Sequence, residues 1–448
     1  MSYQKRAEQH RLLFQKELER LSSHLDWDRK TLEHFQLVQL KKLLTHVTEH
    51  SRFYRDHLAN FNIENINSIH DLELIKPITK STVMQHWDDI VCTPHLTLHE
   101  AKNHIVSINE DAYLKDIYHT LPTSASTGKP GIFAYGWEEW PTYLAASQRW
   151  INLALKAKNI DINEAVSVHI GPHIASHMTA AMFDTFSSGR PNRHRISVFE
   201  SANSIVKQLN QLMPDVLLCY PSTMMRLLQT DLQKQLHINP KIIVLNSETL
   251  SLSLRQRVKD QWPDAIVLNL LGSTEGGVMA INCIQQHKLH VNEDLLIIEP
   301  HKTGMYLTNL FNYTFPLIRY EMQDQIHLFD QPCACGSSYQ VIEEPQGREA
   351  AIFIYNDQTH ILYVVIGGVL DRLASLSGYH VWQTKNGIEL GVLEKECMDV
   401  NKIIKALEHS LADAGLHQPL VTVKFLTELN RGRTGKLITF IPLKSETL

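Results

Sequence analysis

The sequence predicts an α/β fold: a large N-terminal domain with helix-covered, mostly parallel sheets, and a small mobile α+β domain at the C-terminus. Three observations support this prediction. Short β-rich runs alternate with helical stretches between about residues 120 and 330. The segment before them has only helical patterns, and after Arg348 the pattern becomes hairpin-like and mixed.

Residues 1–60 are predicted to be helical. Apolar residues recur there at spacings of three and four, which places them on one face of a helix. Such a face packs against a core. The residues of this stripe are Leu37, Leu40, Leu43, Leu44 and Val47, extended by Phe53, Tyr54 and Leu58.

The middle of the chain is predicted to form the parallel sheet. Strands that alternate with helices favour parallel pairing, and ligands bind at the carboxyl ends of such strands. The β-rich runs are AVSVHI at 165–170, DVLLCY at 215–220, KIIVLN at 241–246 and AIVLNLL at 265–271. The helical stretches between them are 201–213, 222–235 and 251–261.

The C-terminal part is predicted to be a separate unit. AIFIYN and HILYVVI are expected to form a hairpin, and residues 398–415 a helix. VTVKFL and LITFIPL are expected to be strands on either side of the loop NRGRTGK. We place the boundary near 345–350, so that residues 1–347 form the large domain and residues 348–448 the small one.

Composition narrows the class of protein. The chain has 448 residues, a formal net charge of −5 and a sequence pI of about 6.6. It lacks the basic footprint of a nucleic-acid binder, and no apolar run approaches the ~20 residues that cross a bilayer. The charged N-terminus lacks the apolar core of a signal peptide. We therefore expect a cytoplasmic protein without a nucleic-acid partner or a membrane span.

Residues 123–130, TSASTGKP, form the first motif that indicates chemistry. Hydroxyl groups, a glycine and a lysine within one turn offer donors to phosphate oxygens. The motif is not a Walker A loop, because no glycine lies five residues before Gly128. The alternative is a Ser/Thr-rich surface turn. The candidate phosphate-binding residues are Ser124, Ser126, Thr127, Gly128 and Lys129.

A second motif directly follows the apolar run AIVLNLL. Gly272, Ser273 and Thr274 begin a turn at the end of a predicted strand, which places Glu275 at the rim of the sheet. A carboxylate there can hold Mg²⁺ beside nucleotide phosphates. The alternative is a plain strand-to-loop turn.

Two further motifs lie closer to the C-terminus. Asp324 follows the segment PLIRY at 316–320, where its carboxylate can accept two hydrogen bonds from ribose hydroxyls. Its alternative role is that of a turn or cap residue. The loop RGRTGK at 431–436 either delivers the cation of Lys436 to an anionic site or is a solvated basic loop.

The order and spacing of these motifs resemble the adenylate-forming superfamily of acyl- and aryl-CoA ligases, luciferases and peptide-synthetase adenylation domains. The chain most resembles the phenylacetate-CoA ligase branch, especially its CapK-like and coenzyme F390 synthetase-like members. The resemblance extends over nearly the whole chain. Its segments are HSRFYRDHLANFNI, LELIKPITK, TSASTGKP, LNSETLS, LLGSTEG, LTNLFNYTFPLIRYEMQD, CACG, GREAA and RTGKL.

The resemblance implies a role for each matching position of the large domain. Ser126, Thr127 and Lys129 would contact the phosphates of ATP, and Glu275 would help to hold Mg²⁺. Asp324 would bind the ribose hydroxyls.

The resemblance also assigns residues around the adenine and the domain junction. Ser247 and Glu248 would line the adenine pocket, and Arg348 would lie near the ribose. Lys436 would bridge the carboxylate and α-phosphate oxygens and neutralise the charge that builds up as the carboxylate attacks phosphorus. The small domain would then rotate, so that a thiol of coenzyme A or of a carrier-protein phosphopantetheine takes the acyl group.

Three departures from the family pattern concern the loop and the hinge. Ala125 replaces the usual loop glycine, so the turn there must avoid positive φ or accept strain. Leu271 replaces a tyrosine that packs on the nucleotide. Ala350 and Ala351 stand where the family has acidic hinge residues. All three leave the charged groups of adenylation in place, so we expect adenylation more firmly than thioester formation.

Four residues have the composition of a structural zinc site. Cys283 and His290 are separated by six residues on a predicted hairpin, and Cys333 and Cys335 follow about forty residues later. Three thiolates and one imidazole complete a tetrahedral Zn²⁺ site. His287 is a competing imidazole, and the spacing does not choose between them. The alternative is two unrelated cysteines and a reduced Cys-x-Cys pair.

The acid substrate is expected to contact the segments 169–186 and 219–225. His173, Ser176 and Tyr220 are the candidate contacts, although a histidine in such a segment is more often a structural hydrogen-bonding residue. The mixture of aromatic, Met and His side chains fits an aryl or medium-sized acid.

The leading hypothesis is therefore activation of a carboxylic acid to acyl-AMP with release of pyrophosphate, followed by transfer to a thiol. One alternative is AMP transfer to a hydroxyl, as in coenzyme F390 synthesis. Another is a non-catalytic nucleotide-binding descendant, against which the retained Lys436, Glu275 and Asp324 argue.

Overall fold

The computed structural model describes most of the chain, and the statements below refer to the described residues. No helix among them is both long and apolar enough to cross a membrane. The described ranges are 2–108, 112–123, 130–173, 175–187, 190–228, 230–247, 250, 252–302, 304–324, 326–329, 331–343, 352–355, 359–370, 379–393, 399–427 and 440–443.

Helices occupy most of the N-terminal hundred residues and then alternate with strands. Short 3₁₀ helices lie between the first four α-helices, at His24–Asp26, Ile63–Asn65 and Ile69–Leu74. The α-helices are α1 (Tyr3–Ser23), α2 (Arg29–His50), α3 (Arg52–His57), α4 (Lys80–Gln85), α5 (Trp87–Ile90), α6 (Leu98–Ser107), α7 (Glu139–Ala157), α8 (Met178–Ser187), α9 (Ala202–Leu212), α10 (Pro221–Leu227), α11 (Thr230–Gln233), α12 (Leu252–Gln261), α13 (Tyr363–Leu370) and α14 (Val400–Asp413).

The strands form one large sheet and several small ones. They are β1 (His119–Pro122), β2 (Ile132–Tyr135), β3 (Ser167–Gly171), β4 (Arg193–Ser197), β5 (Val216–Cys219), β6 (Ile242–Asn246), β7 (Ile266–Ser273), β8 (Gly277–Asn282), β9 (Leu289–Val291), β10 (Leu296–His301), β11 (Gly304–Asn309), β12 (Tyr320–Met322), β13 (Leu328–Phe329), β14 (Val341–Ile342), β15 (Ile352–Ile354), β16 (His360–Leu362), β17 (Tyr379–Thr384), β18 (Gly387–Leu393), β19 (Leu420–Leu426) and β20 (Phe440–Ile441).

The large sheet has the strand order β13-β14-β9-β8-β7-β6-β5-β3-β4. Neighbouring strands from β4 to β7 are parallel, and those from β7 to β13 are antiparallel. The parallel strands β3, β5, β6 and β7 coincide with the four predicted β-rich runs. The sequence pattern does not predict β4, because Arg193, His194 and Arg195 interrupt its apolar character.

Helices cover both faces of the parallel half, as predicted. Successive residues of a strand point to opposite faces. Leu217 and Ile243 are paired in register and belong to a buried cluster that includes residues of α9, α10 and α12. Their neighbours Val216 and Val244 belong to a second buried cluster with Trp150 of α7.

The N-terminal stripe is buried in a core of its own. Leu40, Leu43, Leu44 and Val47 of α2 have no exposed surface, which confirms the predicted apolar face. They belong to a cluster that includes residues of the antiparallel sheet β10-β11-β12. The helix begins after Asp28, whose carboxylate accepts a hydrogen bond from the Thr31 N–H at 2.8 Å.

The C-terminal elements follow the prediction with one difference. β15 and β16 form the expected hairpin, and β17 to β20 form a sheet in the order β19-β18-β17-β20. The helix predicted at 398–415 is α14, which starts after Asp399. The run HILYVVI is a strand only in its first half, and Tyr363–Leu370 is the helix α13. A short apolar run has no periodicity that separates a strand from a buried helix.

Candidate functional site

Five of the predicted nucleotide and substrate residues lie along one edge of the large sheet. The carboxyl ends of β3, β5, β6 and β7 meet there, because these strands are parallel. His173 and Ser176 follow β3, Tyr220 follows β5, Ser247 follows β6, and Ser273 ends β7. Ligands of parallel α/β sheets bind outside such strand ends.

The turn that carries Glu275 connects β7 to β8. Ser273 pairs with Gly277, whose φ of +74° lies in the left-handed region that favours glycine. The Ser273 hydroxyl also accepts a hydrogen bond from the Gly276 N–H at 2.9 Å. Thr274 and Glu275 therefore lie directly beyond the carboxyl end of β7.

Three side chains from other elements hold the backbone of this turn. The hydroxyls of Tyr143 and Tyr135 donate to the carbonyls of the two residues before Glu275, at 2.9 and 2.5 Å. The amide of Asn309 donates to the Glu275 carbonyl at 3.1 Å. These contacts fix the position of the carboxylate by fixing the peptide that bears it.

The Glu275 carboxylate lies among other polar groups. Burial raises the pKa of Glu275, and the nearby charge of Lys80 acts in the opposite direction. The negative charge of Asp324 also raises the pKa of Glu275, because the two carboxylates lie near each other. The Tyr320 hydroxyl also makes a hydrogen bond to Glu275. Two carboxylates beside one ammonium group suit a divalent cation that accompanies a phosphate.

Lys80 is the site residue that the motifs do not identify by themselves. Ile78 forms a bridge to Tyr320, in which the Ile78 N–H donates to the Arg319 carbonyl at 3.0 Å and the Glu321 N–H to the Ile78 carbonyl at 2.9 Å. This bridge fixes the start of α4, at Lys80, beside β12. In the sequence, Lys80 is the last residue of LELIKPITK, one of the segments that resemble the adenylate-forming superfamily.

Lys80 also lies at the base of the predicted phosphate loop. Its Nζ is 3.5 Å from the Thr123 hydroxyl. The Thr123 N–H donates to the Gly131 carbonyl at 2.8 Å, and the Gly131 N–H donates to the Thr123 hydroxyl at 2.8 Å. A Cβ on Gly131 would come within 2.7 Å of the Phe133 ring. The two ends of the loop are therefore fastened to each other next to an ammonium group.

Several predicted residues lie outside the described part of the chain. Ser247 is described: it is exposed, and its φ of 65° is unusual for a residue with a side chain. Asp324 is described two residues beyond the end of β12. The predicted residues that lie outside are Ser124, Ser126, Thr127, Gly128, Lys129, Glu248, Arg348 and Lys436, together with Ala125, Ala350 and Ala351.

The predicted acid-binding residues differ in exposure. His173 is exposed, Ser176 is buried, and Tyr220 is buried at the start of α10. His169, on β3, lies near His173 and has a buried Nε2 without a hydrogen-bond partner. Burial lowers the pKa of His169 to about 3 and that of His177 to about 4, so both rings are neutral at physiological pH.

The four predicted metal ligands lie together. Cys283 directly follows β8, where its N–H donates to the Lys288 carbonyl at 2.9 Å, and His290 lies in β9. One ligand atom from each of Cys283, His290, Cys333 and Cys335 lies within 4.8 Å of the others.

The distances fit a tetrahedral zinc ion. The Sγ atoms of Cys283 and Cys333 are 3.7 Å apart, and Cys335 Sγ is 3.4 Å from His290 Nε2. Zn–S and Zn–N bonds of about 2.3 and 2.0 Å give tetrahedral edges of roughly 3.8 and 3.5 Å. His290 Nδ1 is 3.4 Å from the Tyr339 carbonyl, which leaves Nε2 towards the thiols.

Comparisons with known proteins find one similar sequence and several solved structures of similar fold. No family model matches the chain. It is 25% identical over 146 residues to an indoleacetate–lysine synthetase of Pseudomonas savastanoi, a match that spans 31% of this chain and 37% of the synthetase. This match thus covers less than two thirds of the synthetase.

The structural comparisons extend over nearly the whole chain. A crystal structure of 2-hydroxyisobutyryl-CoA ligase in the postadenylation state aligns with 91% of this chain and with 89% of the ligase chain. The TM-score is 0.55 and the sequence identity 17%. A structure of the same ligase in the thioesterification state, with an acyl-AMP and CoA bound, aligns with 92% of this chain and with 90% of the ligase chain. The TM-score is 0.58 and the sequence identity 16%. The chain therefore has the fold of 2-hydroxyisobutyryl-CoA ligase.

Proposed function

We propose that this protein is an acid–thiol ligase that uses ATP to activate a carboxylic acid as its acyl-AMP. The observation that carries the proposal is the meeting of Glu275, Asp324 and Lys80 at the carboxyl edge of the parallel sheet. This cluster lies next to the fastened ends of the phosphate loop. The ligases with the same fold support the reaction type.

In the proposed reaction, a carboxylate oxygen of the acid attacks the α-phosphorus of ATP. The new P–O bond forms the acyl-AMP anhydride, and pyrophosphate leaves with the electrons of the broken bond. Mg²⁺ would offset charge on the phosphates, held by Glu275. Lys80 and Lys129 would bind the phosphates on the other side. Such electrostatic contributions are commonly the largest in this kind of transfer.

The C-terminal residues 348–448 are proposed to form the small domain and to supply Lys436. This lysine would reach the carboxylate and α-phosphate oxygens during adenylation. Reorientation of the small domain would then admit the acceptor. The proposal is supported by the separate sheet β19-β18-β17-β20, which shares no strand with the large sheet.

We propose a thiol of coenzyme A or of a carrier protein as the acceptor. A ligase of the same fold binds an acyl-AMP and CoA. An amine is the second candidate, because the name of the sequence relative joins an acid, indoleacetate, to lysine. That name also supports an aryl acid as the substrate. His173, Ser176 and Tyr220 are the proposed acid contacts.

The test combines ATP, Mg²⁺ and a panel of aryl and medium-sized acids, and follows pyrophosphate release. At least one acid should stimulate release, and adding coenzyme A or lysine should then identify the acceptor by mass spectrometry of the product. Lys436→Ala should abolish acyl-AMP formation while ATP still binds. Lys402→Ala, on the exposed side of α14, is the matched control. Failure of every acid, together with failure to bind ATP, would refute the proposed function.

We also propose that Cys283, His290, Cys333 and Cys335 hold a structural Zn²⁺ ion. A site with four protein ligands leaves no position for substrate, so the ion would join the β8–β9 hairpin to the segment that follows β13. Elemental analysis of the purified protein should give about one zinc per chain. Folded, active protein that never contains metal would exclude the site.

A further inference from the structure

Three arginines meet at the end of the large sheet opposite the candidate active site. Arg193 begins the edge strand β4 and pairs in register with Ser167, the first residue of β3. The five residues of β4 then run to the carboxyl edge, about 13 Å away at the usual rise per residue. The helix α1, which carries Arg11, packs against α7 and α8.

Arg190 and Arg193 lie in one turn, in which the Arg193 N–H donates to the Arg190 carbonyl at 3.2 Å, and Arg11 comes from α1. The Arg190 guanidinium carbon lies 5.9 Å from the centre of the Phe14 ring of α1. Arg11 lies one turn before Phe14 on the same helix, and its Nε is buried without a hydrogen-bond partner. Arg193 Nη2 donates to the Gln148 side chain of α7 at 3.4 Å.

These arginines have no acidic partner among the residues that the structure describes. Nearby arginines do: Arg195, two residues further along β4, lies 2.9 Å from Asp184, and Arg149 of α7 is paired with Asp294 at 2.7 Å. The corner formed by Arg11, Arg190 and Arg193 is therefore a concentration of uncompensated positive charge.

The positive charges are close enough to oppose one another. Burial and then the charge of Arg190 lower the pKa of Arg193 to about 10. Burial and then the charge of Arg11 lower the pKa of Arg190. At a pKa of about 10, Arg193 nevertheless stays protonated near neutral pH. Partly buried like charges destabilise a protein unless an anion compensates them.

We propose that Arg11, Arg190 and Arg193 form a second anion site, which binds a phosphate group from solution. Guanidinium groups present paired donors that match phosphate oxygens, and three of them suit a doubly charged phosphate better than a single carboxylate. The ligand is either free inorganic phosphate or the phosphate of a monoester. The site is independent of the proposed ligase activity, because its residues lie at the opposite end of the parallel strands.

The proposal is tested by thermal unfolding and calorimetric titration with inorganic phosphate and, separately, with ribose 5-phosphate. Sodium chloride at matched ionic strength controls for general screening. We expect saturable stabilisation of the wild-type protein, and a loss of affinity of about tenfold or more in Arg193→Gln and in Arg11→Gln. Tighter binding of one probe identifies the source of the phosphate. Arg20→Gln on α1, which removes an arginine paired with Glu17, should bind like the wild type.

The variants also separate a binding role from a structural one. Without phosphate, Arg193→Gln should be at least as stable as the wild type, because one repelling charge has been removed. No saturable stabilisation of the wild type, or equal affinity in the variants, would overturn the proposal. If both variants are less stable than the wild type and phosphate does not change their stability, the arginines act only in packing and the proposal is wrong.

Discussion

At the scale of single residues, Lys80 shows how a charged group becomes part of a site through a backbone contact. The bridge between Ile78 and Tyr320 joins two segments that are far apart in the chain. It places the ammonium group where it opposes the effect of burial on Glu275. Removing Lys80 would therefore affect both the phosphates and the charge state of the carboxylate.

We predict that Lys80→Ala lowers the rate of acid-dependent pyrophosphate release by about 10- to 100-fold, because one cation near the phosphates is lost. Release is measured at saturating ATP and at several ATP concentrations. Lys76→Ala, exposed in the same segment, should leave the rate unchanged. Equal rates for the two variants would contradict the placement of Lys80 in the site.

Asp294 is the anionic centre of a buried network. Its two carboxylate oxygens accept hydrogen bonds from Arg149 at 2.7 Å each, and both side chains have no exposed surface. His24 Nδ1 is 2.8 Å from the same carboxylate. Burial alone would raise the pKa of Asp294, but the charges of Arg149 and His24 hold it below its usual range.

We predict that Asp294→Asn lowers the free energy of unfolding by about 3–5 kcal/mol, because Arg149 is left as an uncompensated buried charge. Denaturant unfolding measures the change. Glu33→Gln, which breaks the exposed pair with Arg29, should change it by less than about 1 kcal/mol. A small effect of Asp294→Asn would mean that water compensates Arg149.

At the scale of elements, the buried His10 of α1 holds this helix against the residues that follow α6. His10 Nδ1 lies 2.6 Å from the Tyr113 hydroxyl, and Nε2 lies 2.9 Å from the Trp137 carbonyl. The His10 ring also stacks on Trp137 with centroids 3.7 Å apart. Burial lowers the pKa of His10 to about 4, and burial keeps the pKa of His119 well below its usual value.

We predict that the protein loses stability as the pH falls from 6.5 towards 4. The unfolded chain takes up protons on His10 and His119 below about pH 6.5, whereas the folded protein does not, so protonation favours unfolding. Each histidine contributes up to about 1.4 kcal/mol per pH unit in that window. Thermal unfolding from pH 7.5 to 5, followed by tryptophan fluorescence, measures the slope.

The slope should be smaller in His10→Gln, which keeps a polar side chain but does not titrate. His409→Gln, at a side chain with 81% of its surface exposed, should keep the wild-type slope. A slope that is the same in all three proteins would show that His10 does not contribute to the pH dependence.

At the scale of the whole molecule, the proposed zinc ion would join segments that are distant in the chain but neighbours in the large sheet, where β14 pairs with β9. The ligands come from the β8–β9 hairpin and from the segment between β13 and β14. Trp150 of α7 stacks on His290 with an interplanar angle of 7°. A metal ion at this point would therefore fix His290 of the antiparallel half of the sheet against α7, which covers the parallel half.

We predict that removing the metal with a strong chelator lowers the unfolding temperature, since the free energy of zinc binding contributes to folding. Cys333→Ser should reproduce this loss and should contain less than one zinc per chain. Cys92→Ser, a cysteine outside the cluster, should keep the metal and the stability. Unchanged stability after confirmed metal removal would contradict a structural role.

The sequence predicted those parts of the molecule that depend on local patterns. The strands β3, β5, β6 and β7 follow from apolar runs between helical stretches, and the stripe of α2 follows from its spacing. The four candidate metal ligands follow from the chemistry of cysteine and histidine. The choice of His290 over His287 does not follow, because it depends on the register of the β8–β9 hairpin: His290 is buried and paired with Ile281, while His287 is exposed.

What the sequence by itself determined is the order of elements and the chemistry available along the chain, because periodicity and residue type are local properties. Only the tertiary structure decided which charges meet. Three pairs of charged residues come from distant segments: Lys80 near Glu275, Arg149 bonded to Asp294, and Arg11 near Arg190. Their effects arise from burial and distance, which exist only after the chain has folded.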